Sequence, residues 1–263
     1  DGWQPSLRQF AADTGLDVGG ANLDSGRLDT SWLSDRTPDW LLSFQFGLIL
    51  DTEAISLPRR GALNLHFAPL PRYRGVAPIY WAMRNGESEH GVTLHHIDQG
   101  IDTGDVVAQR MFPLSDITTA RGLYDRSVSE GGNLFSETWP GIVAGEVPRV
   151  PQDEVRSLYY NRYSVDFRAN QLDWALDVAD LCAMARGLIF PPLQLPTIQL
   201  RGRSLRAERA HFDRQPHASR PGRVVEVSGQ CLVVAAAGGR IHLQIAAEDL
   251  ALLPTEPGDL LAT

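Results

Sequence analysis

Three side chains with complementary chemistry fall between residues 64 and 102: the amide of Asn64, the imidazole of His66 and the carboxylate of Asp102. An amide N–H can polarise a carbonyl as its oxygen gains negative charge. An imidazole with an ordinary pKa near 6.5 can take up a proton at neutral pH. A carboxylate can hold that imidazole in one tautomer. Together they suit transfer of an acyl-type group to an amine. Asn64 and His66 are two apart on an extended apolar run, so both side chains leave one face. The turn Pro69-Leu70-Pro71 cannot continue a strand and delivers that face to the surface. A single histidine beside an asparagine is more often structural; the shared face and the turn weigh against that here. Asp102 alone could stabilise its own loop as an Asx turn, but beside the Asn/His pair it reads as catalytic.

The remaining titratable residues are plainer. Asp98 and Asp105 read mainly as turn caps. His95 and His96 alternate on a β-rich run, so only one can face the cleft; His95 shares a face with Thr93 and Ile97 and is the candidate. His90, His211, His217 and His242 show no partner pattern and read as solvated. There is no Cys/His cluster with zinc spacing, no Gly-rich phosphate loop and no Gly-x-Ser-x-Gly elbow, so no metal is expected. Cys182 and Cys231 lie in apolar runs and read as small core residues, at home in a reducing cytoplasm.

The elements that must position these groups follow from periodicity and turn residues. A short helix is expected at 6–14, a buried strand at 40–46, and a turn with a short helix at 48–57. A second apolar strand covers 62–65. Pro78 opens and Asn85-Gly86 closes a helix over 77–85. Strands at 91–97 and 106–110 flank a short loop with two glycines, and 119–143 has a helical pattern despite Gly131-Gly132. This alternation predicts an α/β, Rossmann-like, mostly parallel sheet covered by helices, with ligands at the carboxyl ends of its strands. Residues 146–166 are polar, irregular and contain proline, like a linker. A helix at 174–186 and five short strands at 195–200, 205–210, 223–227, 231–235 and 240–245 then predict a small OB-like β-barrel. The expected domains are 1–150, a linker at 151–167, and 168–263.

Composition sets wider bounds. The 263 residues include 43% hydrophobic and 21% charged side chains, ordinary for a globular protein. The longest apolar run, 40–50, is far short of the roughly 20 residues that cross a bilayer. A net charge of −8 disfavours sequence-independent nucleic-acid binding. Every basic residue is arginine, and seven fall within 201–223, either a solvated edge or a local phosphate-contacting patch.

The motif residues are similar to those of a known family. Asn64-x-His66, Pro69-Leu70-Pro71-x-Tyr73-Arg74-Gly75, Ala77-Pro78, Trp81, Asn85-Gly86, Gly91-Val92-Thr93 and Asp98-x-Gly100-x-Asp102-Thr103-Gly104 resemble the 10-formyltetrahydrofolate-dependent formyltransferases. The resemblance spans most of residues 38–110. More loosely, it extends through Leu123-Tyr124 and Leu172-Asp173-Trp174 to the subgroup with a C-terminal OB-like domain. It implies that Asn64, His66 and Asp102 are catalytic. Asn64 would stabilise the formyl oxygen as it becomes an oxyanion. His66 would relay the amine proton or stabilise the tetrahedral intermediate, and Asp102 would orient His66. It implies further that Phe46, Gly47, Leu48, Ile49 and Ile97, Asp98, Gln99, Gly100, Ile101 hold the pterin of the formyl donor, and that Leu70-Pro71 forms a turn often containing a cis peptide. Where the family usually reads Ser-Leu-Leu-Pro, this chain has Phe67-Ala68-Pro69-Leu70-Pro71. Family members begin with a strand, a glycine turn and a helix that are not evident here, so Asp1 is expected not to be the native start.

The trio is silent on the acceptor. A small-molecule amine, such as hydroxyornithine of a siderophore or an amino sugar, is favoured by the acidic charge. The alternatives are methionyl-tRNA, for which the arginine patch and barrel speak; hydrolysis of the formyl donor; and a non-catalytic binding module. The expected location is the cytoplasm, with no membrane partner.

Overall fold

A computed structural model describes residues 5–19, 21–22, 27–28, 30–168, 170–253, 257–258 and 261; Asp1 lies outside them. In chain order the elements begin α1 (Leu7–Thr14), β1 (Ala21–Asn22), β2 (Arg27–Leu28), α2 (Thr30–Ser34), β3 (Trp40–Phe44) and α3 (Thr52–Ser56). Next come β4 (Gly61–His66), β5 (Arg74–Gly75), α4 (Pro78–Arg84), β6 (Glu89–His96), β7 (Val106–Pro113) and α5 (Ala120–Ala144). The last group is β8 (Tyr159–Tyr160), α6 (Val178–Leu188), β9 (Thr197–Leu200), β10 (Arg203–Asp213), β11 (Val224–Ser228), β12 (Cys231–Ala236) and β13 (Gly239–Ile245).

The chain divides into two compact units: Asp1–Arg74, Val92–Arg110 and Glu130–Leu158 form one, and Gly75–Gly91, Met111–Ser129 and Tyr159–Thr263 the other. β6, β7 and α5 contribute residues to both.

The first unit is built on a sheet of order β3-β4-β6-β7. β3 and β4 are parallel, with Ser43 opposite Asn64. β4 and β6 are antiparallel, with Asn64 opposite His95 and His66 opposite Thr93. β6 and β7 also run oppositely: His96 N–H donates to Asp105 at one end and Leu114 N–H to Ser88 at the other. The strand and helix alternation predicted a mostly parallel sheet, and the α/β class is as expected, but the sheet is mixed. Two of its three pairings are antiparallel: β6 returns against β4 after residues 67–88, and the short 97–105 connection turns β7 back as a hairpin where a parallel crossover needs a dozen or more residues. Leu63, Leu65, Val92 and Leu94 are buried in this sheet. Along α5, Gly131 lets the helix close on β4, since a Cβ there would stand 2.9 Å from Leu65 Cδ2. The glycine that weakens the helical pattern is thus what brings helix and strand together.

The second unit holds a curled antiparallel sheet of order β11-β12-β13-β10-β9, half of a barrel, where the OB-like domain was expected. β13 alternates buried and half-buried residues along its whole length, the period-2 signature of a sheet with one face in the core. Leu205, Leu232, Ile241 and Leu243 pack there with Leu181, Cys182 and Ala185 of α6. Each of these leucines, and Ile241, stabilises by about 1.5–3 kcal/mol on burial. α6 starts four residues later than its pattern predicts. Asp173 accepts from Ala175 N–H to make a turn, and Asp177 caps the helix by accepting from Ala179 N–H. Among the described residues no helix is long and apolar enough to cross a membrane.

Candidate active site

Strand β4 positions the first two groups. Asn64 and His66 leave the same face, and the chain then enters a turn with a cis Leu70-Pro71 peptide. Buried Thr93 on the neighbouring β6 fastens that turn: its hydroxyl donates to the Ala68 carbonyl at 2.7 Å and accepts from Leu70 N–H at 3.2 Å. Gln109 on β7 adds donors to the Leu70 carbonyl and the Thr93 hydroxyl. The third group arrives from the β6–β7 loop. Asp102 has φ +55, in the left-handed region that asparagine and aspartate tolerate better than most residues. Gly104 permits the loop's close return, because a Cβ there would stand 1.9 Å from the His96 carbonyl oxygen.

The trio meets. Asn64 Nδ2 lies 3.5 Å from Asp102 Oδ1, and His66 Nδ1 lies 3.7 Å from the same oxygen. His66 is buried, and the Asp102 side chain is 13% exposed, so solvent screens this pair weakly. The Nε2 of His66 is 2.8 Å from the Tyr73 carbonyl oxygen. A carbonyl only accepts, so Nε2 carries the proton and Nδ1 presents its lone pair beside Asp102. The Tyr73 carbonyl therefore selects the tautomer, a task the sequence had assigned to Asp102. Burial pushes the His66 pKa below its ordinary value, and the Asp102 carboxylate and the Tyr73 carbonyl pull back upwards. A neutral imidazole with a free Nδ1 next to an anion is a base whose protonated form is stabilised where it forms.

His95 joins them, as its strand face predicted. Its Nδ1 donates to the His96 carbonyl at 2.8 Å, which leaves Nε2 as an acceptor for Asn64 Nδ2 at 3.2 Å. One N–H of Asn64 is thereby occupied; the other faces Asp102 at the long limit of a hydrogen bond. His96 takes the opposite face and donates from Nε2 to the Pro148 carbonyl.

The residues expected to hold the donor lie on two loops. Phe46 is 41%, Ile49 78% and Ile101 41% exposed, and the space beside Gly47 is open. Leu48 and Ile97 are half-buried, while Gln99 and Gly100 are exposed. The Asp98 carboxylate is used within its own loop, accepting from Gly100 N–H and the Thr103 hydroxyl. Among the described residues no group of three or more His, Cys, Asp or Glu is placed to hold a metal. His90 and His242, read as solvated, are not: His90 is buried against Phe112, and His242 donates to Asp213 at 2.7 Å. Cys182 is buried, Cys231 half-buried, and both are free thiols.

Comparison with known proteins bears on family and fold. Residues 30–139 match the formyl transferase family model. The chain is 33% identical over 240 residues to methionyl-tRNA formyltransferase of Moorella thermoacetica, covering 90% of this chain and 75% of that one. It is 30% identical over 207 residues to the Clostridium novyi enzyme of that name, and spans only 66% of its length. Among solved structures, an N-formyltransferase from Helicobacter canadensis, in complex with folinic acid and dTDP-3-aminofucose, shares the fold with a TM-score of 0.74. It is 24% identical and matches 94% of this chain and 85% of its own. The sugar 3N-formyl transferase WlaRD superposes with a TM-score of 0.75, also at 24% identity, over 93% and 83% of the two chains. By these likenesses this chain belongs to the formyltransferase family.

Proposed function

We propose that this chain is an N-formyltransferase that moves a formyl group from 10-formyltetrahydrofolate to the amine of a small molecule. The observation that carries it is the convergence of Asn64 and His66 on one oxygen of Asp102, at 3.5 and 3.7 Å, in a chain of this family. The donor, when bound, supplies an electrophilic formyl carbon. The residues present fit such a group: exposed apolar side chains at Phe46, Ile49 and Ile101, with open space at Gly47, suit the faces of a flat heterocycle.

The roles follow from the atoms. The Asn64 N–H that points weakly at Asp102 is the one free to turn toward a carbonyl oxygen. One such donor is worth about 3 kcal/mol where negative charge develops. His66 Nδ1 takes the proton released by the attacking amine, and Asp102 stabilises the resulting imidazolium. The amine enters uncharged, since an ammonium has no lone pair to attack with. We assign catalysis to residues 1–150 and treat 168–263 as a separate OB-like domain.

A small-molecule acceptor, such as an amino sugar or hydroxyornithine, is supported by the net charge of −8. The second reading, methionyl-tRNA, is favoured by the likeness to the Moorella and Clostridium enzymes. The test is release of tetrahydrofolate from 10-formyltetrahydrofolate in the presence of a panel of amines and methionyl-tRNA. Turnover is expected with at least one small amine and is expected to be lost in His66→Ala. Unchanged turnover in that variant rejects the catalytic assignment; turnover with methionyl-tRNA alone selects the second reading.

A further inference from the structure

We propose that Gln152 is a positioning residue for Asp102: its side-chain amide grips the turn that presents the carboxylate and ties it to a buried arginine. The role given to Asp102 rests on the function proposed above. Gln152 Nε2 donates to the Asp102 carbonyl at 2.9 Å and to the Gly104 carbonyl at 2.7 Å. Its Oε1 accepts from Arg74 Nε at 3.1 Å and Nη2 at 2.8 Å. Both hydrogens and both lone pairs of the amide are therefore used. Arg74 is 5% exposed, and its guanidinium completes its bonding in a two-point pair with Glu154. A chain of hydrogen bonds, charge-assisted at its Arg74 links, thus runs from Glu154 through Arg74 and Gln152 to the two carbonyls of the Asp102 turn.

Glutamine is the side chain this position requires. A carboxylate would face two carbonyl oxygens, an amine could not accept from Arg74, and an apolar chain would supply none of these four hydrogen bonds. The turn needs such a hold because Asp102 sits in the left-handed region, a conformation that persists where the surroundings over-determine it. The rest of the segment supports the same loop. Val150 and Val106 exchange backbone hydrogen bonds, and the Pro148 carbonyl accepts from His96. Gln152 is the member that reaches the turn itself.

His66 reports on where Asp102 stands. The groups facing its ring are the Asp102 carboxylate, the Tyr73 carbonyl and the His95 imidazole. The measurement is the NMR titration of the His66 ring in the full chain, which needs no substrate. In Gln152→Met, of similar shape but unable to donate, the midpoint is expected to fall by about 0.5 pH unit or more, since an opposite charge within about 4–6 Å shifts a pKa by about 1–3 units. Asp102→Asn marks the full fall. Gln152→Asn keeps the amide but draws it one methylene short, and serves if the methionine variant does not fold. A midpoint equal to that of the unaltered chain in a folded Gln152 variant overturns the proposal. With donor and acceptor present, kcat is expected to drop about tenfold or more while KM for the donor stays within about twofold, as for a misplaced catalytic group. A loss of folded protein alone would scale kcat at every pH without moving the His66 midpoint. Absence of formyl transfer by the unaltered chain would count against the proposed function and leave the titration result standing.

Discussion

At the scale of single residues, the site turns on which atom carries which proton. The Tyr73 carbonyl fixes the His66 proton on Nε2, and the His96 carbonyl fixes the His95 proton on Nδ1. Both choices leave a lone pair aimed at the reacting side. Burial lowers the pKa of His66 and of His96, in each case against carbonyl bonds that pull it up. The sign of the stability effect follows. Folded pKa values below the unfolded value near 6.5 mean that the unfolded chain binds more protons as pH falls through that range. The contribution of these two rings is therefore complete above about pH 6.5 and is lost on acidification below it. Urea midpoints measured at pH 7.5 and 5.5 should show lower stability at the acid value, with a smaller difference in His96→Gln. An equal or higher midpoint at pH 5.5 would contradict the burial of neutral imidazoles.

At the scale of elements, two loops converge because neighbours in the mixed sheet hold them. Thr93 and Gln109 fasten the Pro-rich turn after β4 from the adjacent strands. The β6–β7 loop closes through Gly104, whose missing side chain leaves room for the His96 carbonyl. Gly104→Ala is accordingly expected to displace the loop and reduce formyl transfer by about tenfold or more, because misplacement by about 1 Å can cost about 10²-fold. Steady-state kinetics alongside circular dichroism would check it, and full activity in the alanine variant would show the loop to be adaptable. Asn64 and His66 could be read as candidates from their types and two-residue spacing on one strand, and Asp102, 38 residues on from Asn64, from its type in a glycine-containing loop at a strand end. Gln152 could not: it lies 50 residues from Asp102 in a Pro-containing stretch without periodicity, which reads as a linker. Neither could the mixed sheet, since alternation of strands and helices does not reveal in which direction the next strand enters, after the helical 67–88 connection to β6 or after the short loop to β7.

For the whole molecule, charge decides which partners are plausible. The arginine-rich stretch 201–223 would be the natural contact for a polyanion, but part of it is already neutralised. Arg206 pairs with Glu248 and Asp249, and Arg214 with Asp177. With a net charge of −8, binding to tRNA is expected to be weak and to change little between about 50 and 200 mM salt. A protein neutralising 6–10 phosphates would lose about 10³–10⁵ in affinity over that range. Fluorescence anisotropy with labelled tRNA would measure this, and a steep salt slope would favour methionyl-tRNA as acceptor.

What the sequence determined by itself was local: the helices and strands written in its periodicity, and the candidate amide, imidazole and carboxylate, because these depend on residue type and near neighbours. Only the tertiary structure decided which carbonyl sets each histidine tautomer, that His95 engages Asn64, and that Gln152 and Arg74 hold the Asp102 turn. Those are contacts between segments far apart in the chain, and hydrogen bonds between them exist only once folding has brought donor and acceptor within reach.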